Sequence, residues 1–84
     1  METITLNDGT VIENAHCLEM DDRLFVYITM EATMTWAVML FDDPAKTKKI
    51  IANRNGEEKT YRGYTKLYSI SNEYGNINLV LKKG

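Results

Sequence analysis

The sequence predicts an α+β, mostly β domain: an antiparallel sheet or small barrel of about six or seven short strands with one short helix. Three observations carry that reading. Short runs place apolar residues at alternate positions, as in Thr3-Ile4-Thr5-Leu6 and at Ile77, Leu79 and Leu81 of Asn76–Lys82. Turn-forming groups recur between them, at Asn7-Asp8-Gly9-Thr10, Asp21-Asp22, Asn55-Gly56 and Asn72-Glu73-Tyr74-Gly75. Only the stretch 33–41 is rich in helix formers, and strands joined by such short turns pair antiparallel.

Taken in order, Thr3–Leu6 is a strand, and the turn at 7–10 returns it as a hairpin into Val11, which runs to about Met20 with a bend at Glu13-Asn14. Arg23–Met30 is the clearest strand. Leu24, Val26, Ile28 and Met30 point one way and Phe25, Tyr27 and Thr29 the other, so both faces are apolar and the strand belongs at the sheet centre, at least partly covered on each side. Residues 33–41 fit two patterns. A strand would align Met34, Trp36, Val38 and Leu40; a helix would align Met34, Ala37, Val38 and Phe41. The helix is preferred because Thr33 suits an N-cap and Asp42-Asp43-Pro44 ends it, with Asp43-Pro44 able to start another short turn. Lys48–Ala52 and Glu58–Tyr64 flank the Asn55-Gly56 hairpin. Gly63 marks a bulge before Thr65–Ser71, and Asn76–Lys82 closes the fold.

At 84 residues the chain makes one domain over residues 1–84, because smaller units bury too little surface to offset their ordering entropy. With 44% hydrophobic and 26% charged residues it has the composition of a folding chain rather than a disordered one. Ten basic against twelve acidic residues give a net charge of -2, which argues against general affinity for nucleic acid or anionic membrane. No apolar run reaches the ~20 residues that span a bilayer, and the first residues lack the character of a signal peptide, so neither membrane insertion nor ordinary export is expected. Cys17 is the only cysteine, which fits a reducing compartment or an assembled particle.

Candidate chemistry is sparse. His16-Cys17 offers a base and a nucleophile, but neighbours on a strand point to opposite faces. One cysteine and one histidine cannot supply a standard zinc set. The acidic groups Glu19-Asp21-Asp22 and Asp42-Asp43 are read as turn and helix-end residues, matching no calcium-loop pattern. The glycines form neither a dinucleotide fingerprint nor a phosphate loop. No catalytic, metal or cofactor site is therefore expected. Lys46-Thr47-Lys48-Lys49 with Arg54 and the downstream tyrosines invites a single-stranded nucleic-acid reading, but the acidic total opposes it and lysines along a strand also protect a sheet edge. The remaining signal is aromatic. Trp36, Arg62, Tyr64 and Tyr68 are residue types that dominate protein interfaces, and they form the candidate protein-binding set where exposed.

The segments Ile4-Thr5-Leu6-Asn7-Asp8-Gly9-Thr10, Leu40-Phe41-Asp42-Asp43-Pro44-Ala45-Lys46-Thr47, Tyr61-Arg62-Gly63-Tyr64-Thr65-Lys66-Leu67 and Ile77-Asn78-Leu79-Val80-Leu81 resemble small phage and prophage proteins of Gram-positive bacteria, often encoded among tail or morphogenesis genes. The resemblance implies a non-enzymatic protein-binding module. It acts in the bacterial host cytoplasm or within a virion, first as a minor tail-associated assembly component. The alternative it implies is a small anti-CRISPR-like inhibitor that binds a host nuclease or its nucleic-acid channel. The partner is another protein in either case, a virion component or a host defence effector, and the strand edges also allow self-association.

Overall fold

Backbone positions with positive φ divide the chain, and the strands run between them. In the computed structural model, which describes residues 2–29 and 32–84, paired positive φ values occur at Asp21-Asp22 (53° and 59°), Asn55-Gly56 (52° and 87°) and Tyr74-Gly75 (54° and 85°). Two successive residues of this kind form the tight hairpin turn whose twist matches that of its strands. The strands are β1 (Glu2–Thr5), β2 (Val11–Glu13), β3 (Ala15–Met20), β4 (Arg23–Ile28), β5 (Lys49–Arg54), β6 (Glu57–Arg62), β7 (Lys66–Glu73) and β8 (Asn76–Lys82). They form two antiparallel sheets, ordered β2-β1-β5-β6 and β3-β4-β8-β7.

The mostly β, antiparallel reading holds, with eight strands and two helices among the described residues. The extra strand arises at Asn14, whose φ of 56° breaks the run 11–20 and carries the chain from the first sheet to the second. The bend predicted at Glu13-Asn14 is thus a change of sheet. Gly63 acts similarly rather than as a bulge. At φ 86° it ends β6, its N–H donates to the Lys48 carbonyl (3.1 Å), and its own carbonyl accepts from Thr65 and Gly84 (3.0 Å each). The bulge lies farther on, between Leu67 and Ser69, and displaces Tyr68.

Residues 33–41 are helical, as preferred above. Helix α1 (Met34–Phe41) begins where Thr33 Oγ1 accepts the Trp36 N–H at 3.1 Å. The turn expected at Asp43-Pro44 is a second helix, α2 (Pro44–Thr47), because Asp43 Oδ1 accepts the Ala45 N–H at 3.0 Å and proline suits a first helical position.

The inner faces meet in one core. Ile4, Ile12, Ile50 and Tyr61 of the first sheet join Leu24, Val26, Ile28, Ile77, Leu79 and Leu81 of the second, with Ala37 and Phe41 of α1 and Tyr64 of the β6–β7 connection. Each fully buried large aliphatic side chain stabilises the fold by about 1.5–3 kcal/mol. β4 is central, paired with β3 and β8, and covered on both faces, fully on one and partly on the other. Leu24, Val26 and Ile28 are wholly buried, whereas Phe25 and Tyr27 on the opposite face stay partly exposed. The inward role expected of Met30 lies outside the described residues.

Candidate protein-docking face

The pleat of the second sheet decides which side chains reach its outer surface. Because Leu24, Val26 and Ile28 point inward, Arg23, Phe25 and Tyr27 point outward. Register extends the outer face across the sheet in rows. One row runs Leu18, Phe25, Val80 and Ser69; the next runs Met20, Arg23, Lys82 and Lys66; a third runs His16, Tyr27, Asn78 and Ser71. Leu18 and Met20 are each 52% exposed, and Phe25 and Val80 are half-buried beside them. The central row is therefore apolar and faces outward.

Tyr68, 55% exposed, joins this face through the bulge, which re-aims a side chain away from the regular alternation. Lys82 Nζ lies 3.7 Å from its ring centroid and Arg23 Cζ 5.1 Å. The ring lies between an apolar row and a cationic one. At the other end, the His16 ring stacks on Tyr27 with centroids 5.0 Å apart, and His16 Nδ1 lies 3.2 Å from Glu2 Oε2.

Of the four residues picked from sequence, only Tyr68 is on this face. Trp36 is half-buried against the core. Arg62 is exposed but projects from the first sheet, opposite Lys49. Tyr64 is 1% exposed and is a core residue rather than a contact residue; its hydroxyl donates to Glu19 Oε2. Burial first, and then that hydrogen bond, push the Tyr64 phenol well above its ordinary range. The four do not form one patch. Leu18, Met20, Arg23, Phe25, Val80 and Lys82 were not selected, although the two-faced apolar pattern of residues 23–28 was the signal for an uncovered outer row.

A groove of about 360 Å³ opens where β3 passes the β5–β6 hairpin, with Cys17, Ala52 and Tyr61 among its lining and Glu2, Arg54 and Lys59 around them. Glu2 Oε1 is 3.0 Å from Arg54 Nε, so this carboxylate lies within reach of both His16 and Arg54. Burial pushes the Cys17 thiol up to about 12, which leaves it protonated and weakly nucleophilic near neutral pH. Tyr61 is shifted up as well, by burial and then by the neighbouring Cys17 and Glu19. His16 and Cys17 both border this groove, but they lie opposite Tyr27 and Val26 in the register, so the alternation turns their side chains to opposite faces of β3. The acidic turn residues Asp21 and Asp22 both adopt positive φ, consistent with turn chemistry, and no group of three or more His, Cys, Asp and Glu side chains arranged to hold a metal occurs among the described residues.

Comparisons with protein-family models, with curated proteins and with solved structures give no match.

Proposed function

We propose that this chain is a non-enzymatic protein-binding module that docks its partner on the outer face of the sheet β3-β4-β8-β7. The observation that supports the reading is the apolar row Leu18–Phe25–Val80, bordered by half-exposed Met20 and Tyr68. Folding gains little from large apolar side chains held on an outer surface, whereas an apolar centre with a polar rim, and with tyrosine and arginine close by, is the common composition of a protein interface. The exposed Met34, Val38 and Met39 of α1 are a second apolar surface, but the helix carries neither tyrosine nor arginine, whereas Tyr68 and Arg23 stand beside the row on the sheet.

The resemblance to small phage and prophage proteins supports a virion or assembly protein as the partner, and hence a minor tail-associated role. A host nuclease bound by an anti-CRISPR-like inhibitor is the competing partner. Site-specific photocrosslinking separates the cases. A crosslinker is placed at position 18, with controls at position 60 on the outer face of the other sheet and position 39 on α1, in the parent host before and after prophage induction. The expected result is a virion or assembly protein crosslinked from position 18 and not from the controls. A nuclease crosslinked there favours inhibition. Crosslinks from only position 39 or 60 would refute the docking face.

A further inference from the structure

Three cations lie in register across three neighbouring strands. Arg23 of β4 faces Lys82 of β8, and Lys82 faces Lys66 of β7, all on the outer face. Like charges directly opposite one another oppose strand pairing, and no carboxylate lies within ion-pair distance of any of the three among the described residues. Asp21 and Asp22 border the adjoining hollow together with Arg23, Lys82 and Lys83, so the local balance stays positive. The bulge that brings Tyr68 against Lys82 and Arg23 holds these cations beside the apolar row. A like-charged row kept in place by a dedicated bulge is built for an anion that the chain itself does not supply.

We infer that Arg23, Lys82 and Lys66 receive the carboxylates of an acidic segment of the partner protein, whose apolar side chains seat on Leu18, Phe25 and Val80; this inference rests on the docking reading above. The dimensions constrain the segment. Adjacent strands lie about 4.8 Å apart, so the cationic row spans roughly 10 Å, and residues two apart along a strand place the apolar row about 7 Å away. An extended segment laid across the strands, with Asp or Glu turned to one side and Leu, Ile or Val to the other, reaches both rows, and its carboxylates, about 7 Å apart, place two within the cationic row. Single-stranded nucleic acid would also bring anions, but it needs a free ring for stacking. The Lys82 ammonium, 3.7 Å from the Tyr68 centroid, covers one face of that ring, and the apolar row has no counterpart in a phosphate backbone.

The test titrates the full chain, with amide resonances observed by NMR, against three probes: the peptide acetyl-Glu-Leu-Glu-Leu-Glu-amide, its Lys-for-Glu counterpart and a short oligothymidylate. The acidic peptide is expected to shift Arg23, Phe25, Tyr68, Val80 and Lys82 saturably, and to bind several-fold more weakly as salt rises from about 50 to 300 mM. The double substitution Arg23→Glu/Lys82→Glu should reduce that binding at least about tenfold, and Arg23→Gln/Lys82→Gln serves if charge reversal impairs folding. Equal binding of the lysine peptide, preference for oligothymidylate, or no binding of the acidic peptide overturns the inference. Crosslinking from position 18 distinguishes the two levels. If the charge-altered variant captures the partner undiminished while Leu18→Asp, probed from position 80, does not, the docking reading stands and the acidic partner falls. If neither change alters capture, both fail.

Discussion

The two sheets bury similar inner faces but arrange their outer ones differently. Behind Ile4, Ile12 and Ile50, the outer surface of the first sheet carries Glu13, Thr3, Asn53 and Glu58 in one row and Val11, Thr5, Ile51 and Thr60 in the next, so its outward apolar side chains, Val11 among them at 58% exposure, are separated by threonine. Behind Leu24, Val26 and Leu79, the second sheet turns Leu18, Phe25 and Val80 to the surface. The same chain, with the same strand geometry, interrupts its outward apolar residues on one sheet and sets three of them side by side on the other. Burial, and with it most of the stabilisation, is concentrated in the inner rows of both sheets, while Leu18 of the second sheet's outer row stays 52% exposed. That asymmetry separates residues kept for stability from residues free to serve an interface.

The largest effect expected is on the inner side of this divide. Leu24, wholly buried between Glu19 and Leu81 in the register, should cost about 3–5 kcal/mol as Leu24→Ala, from lost burial and the cavity left behind. Leu18→Ser, on the outer face one strand away, should stay within about 1 kcal/mol of the parent. Urea denaturation midpoints of the two variants measure the contrast. A loss from Leu18→Ser comparable to that of Leu24→Ala would make the outer row structural and remove the main support for docking there.

Alkaline pH tests the inner side in another way. Cys17, Tyr61 and Tyr64 all hold their protons more tightly when folded than at their ordinary values, chiefly because burial disfavours the anion. Above about pH 9 the unfolded chain begins to release the Cys17 proton while the folded chain keeps it, so the unfolded state binds fewer protons and stability falls as pH rises. The contribution is fully present below that range and is lost as pH climbs toward 12. Cys17 alone should contribute a slope of about 1 kcal/mol per pH unit in this window. Urea midpoints at pH 8 and pH 10.5 should therefore diverge, and Cys17→Ala should flatten part of the difference. A parent protein whose midpoint is unchanged between the two pH values would mean that these groups are not buried as described.

The corners where the chain changes sheet are the next step down. Gly63 has φ 86° with open space around it, the nearest atom to an added Cβ being Lys83 Cδ at 3.7 Å. Gly63→Ala should thus cost about 1–2 kcal/mol, from backbone conformation rather than collision. At the other corner Asn14 already tolerates φ 56°, and Asn14→Gly should change the thermal midpoint little. A Gly63→Ala variant as stable as the parent would show that this corner does not need the left-handed conformation.

These corners also mark how far the sequence could be read. Local chemistry was legible: Asp21-Asp22 and Asn55-Gly56 turn as their residue types require, Thr33 caps α1, and Asn76–Lys82 is a strand with Ile77, Leu79 and Leu81 inward. What alternation cannot carry is sheet membership. Asn14 and Gly63 announce a break, but a break at a bulge and a break between sheets have the same signature in one dimension. The site was harder for a related reason. Tyr64 and Tyr68 are four residues apart and of one type, yet one fills the core and the other the surface, because Tyr64 lies in the connection and Tyr68 is displaced by the bulge. Aromatic type pointed to Tyr68, and the cross-strand register that adds Leu18, Phe25 and Val80 exists only once β3, β4 and β8 are paired.

The smallest effect expected is also the one that binds stability to function most directly. Lys66 faces Lys82 in the register, so Lys66→Glu replaces a repulsive cross-strand pair by an attractive one. It should raise stability by about 0.2–1 kcal/mol, measurable as a modest rise in the urea midpoint at low salt that shrinks as salt is added. The same change places a carboxylate where an acidic segment would bind, and should weaken capture of the Glu-Leu peptide. A residue that destabilises the free sheet and strengthens the complex is expected where function opposes folding. Should Lys66→Glu instead destabilise the protein, the three cations are not in mutual repulsion, and the outer face is divided from the inner by its apolar row alone.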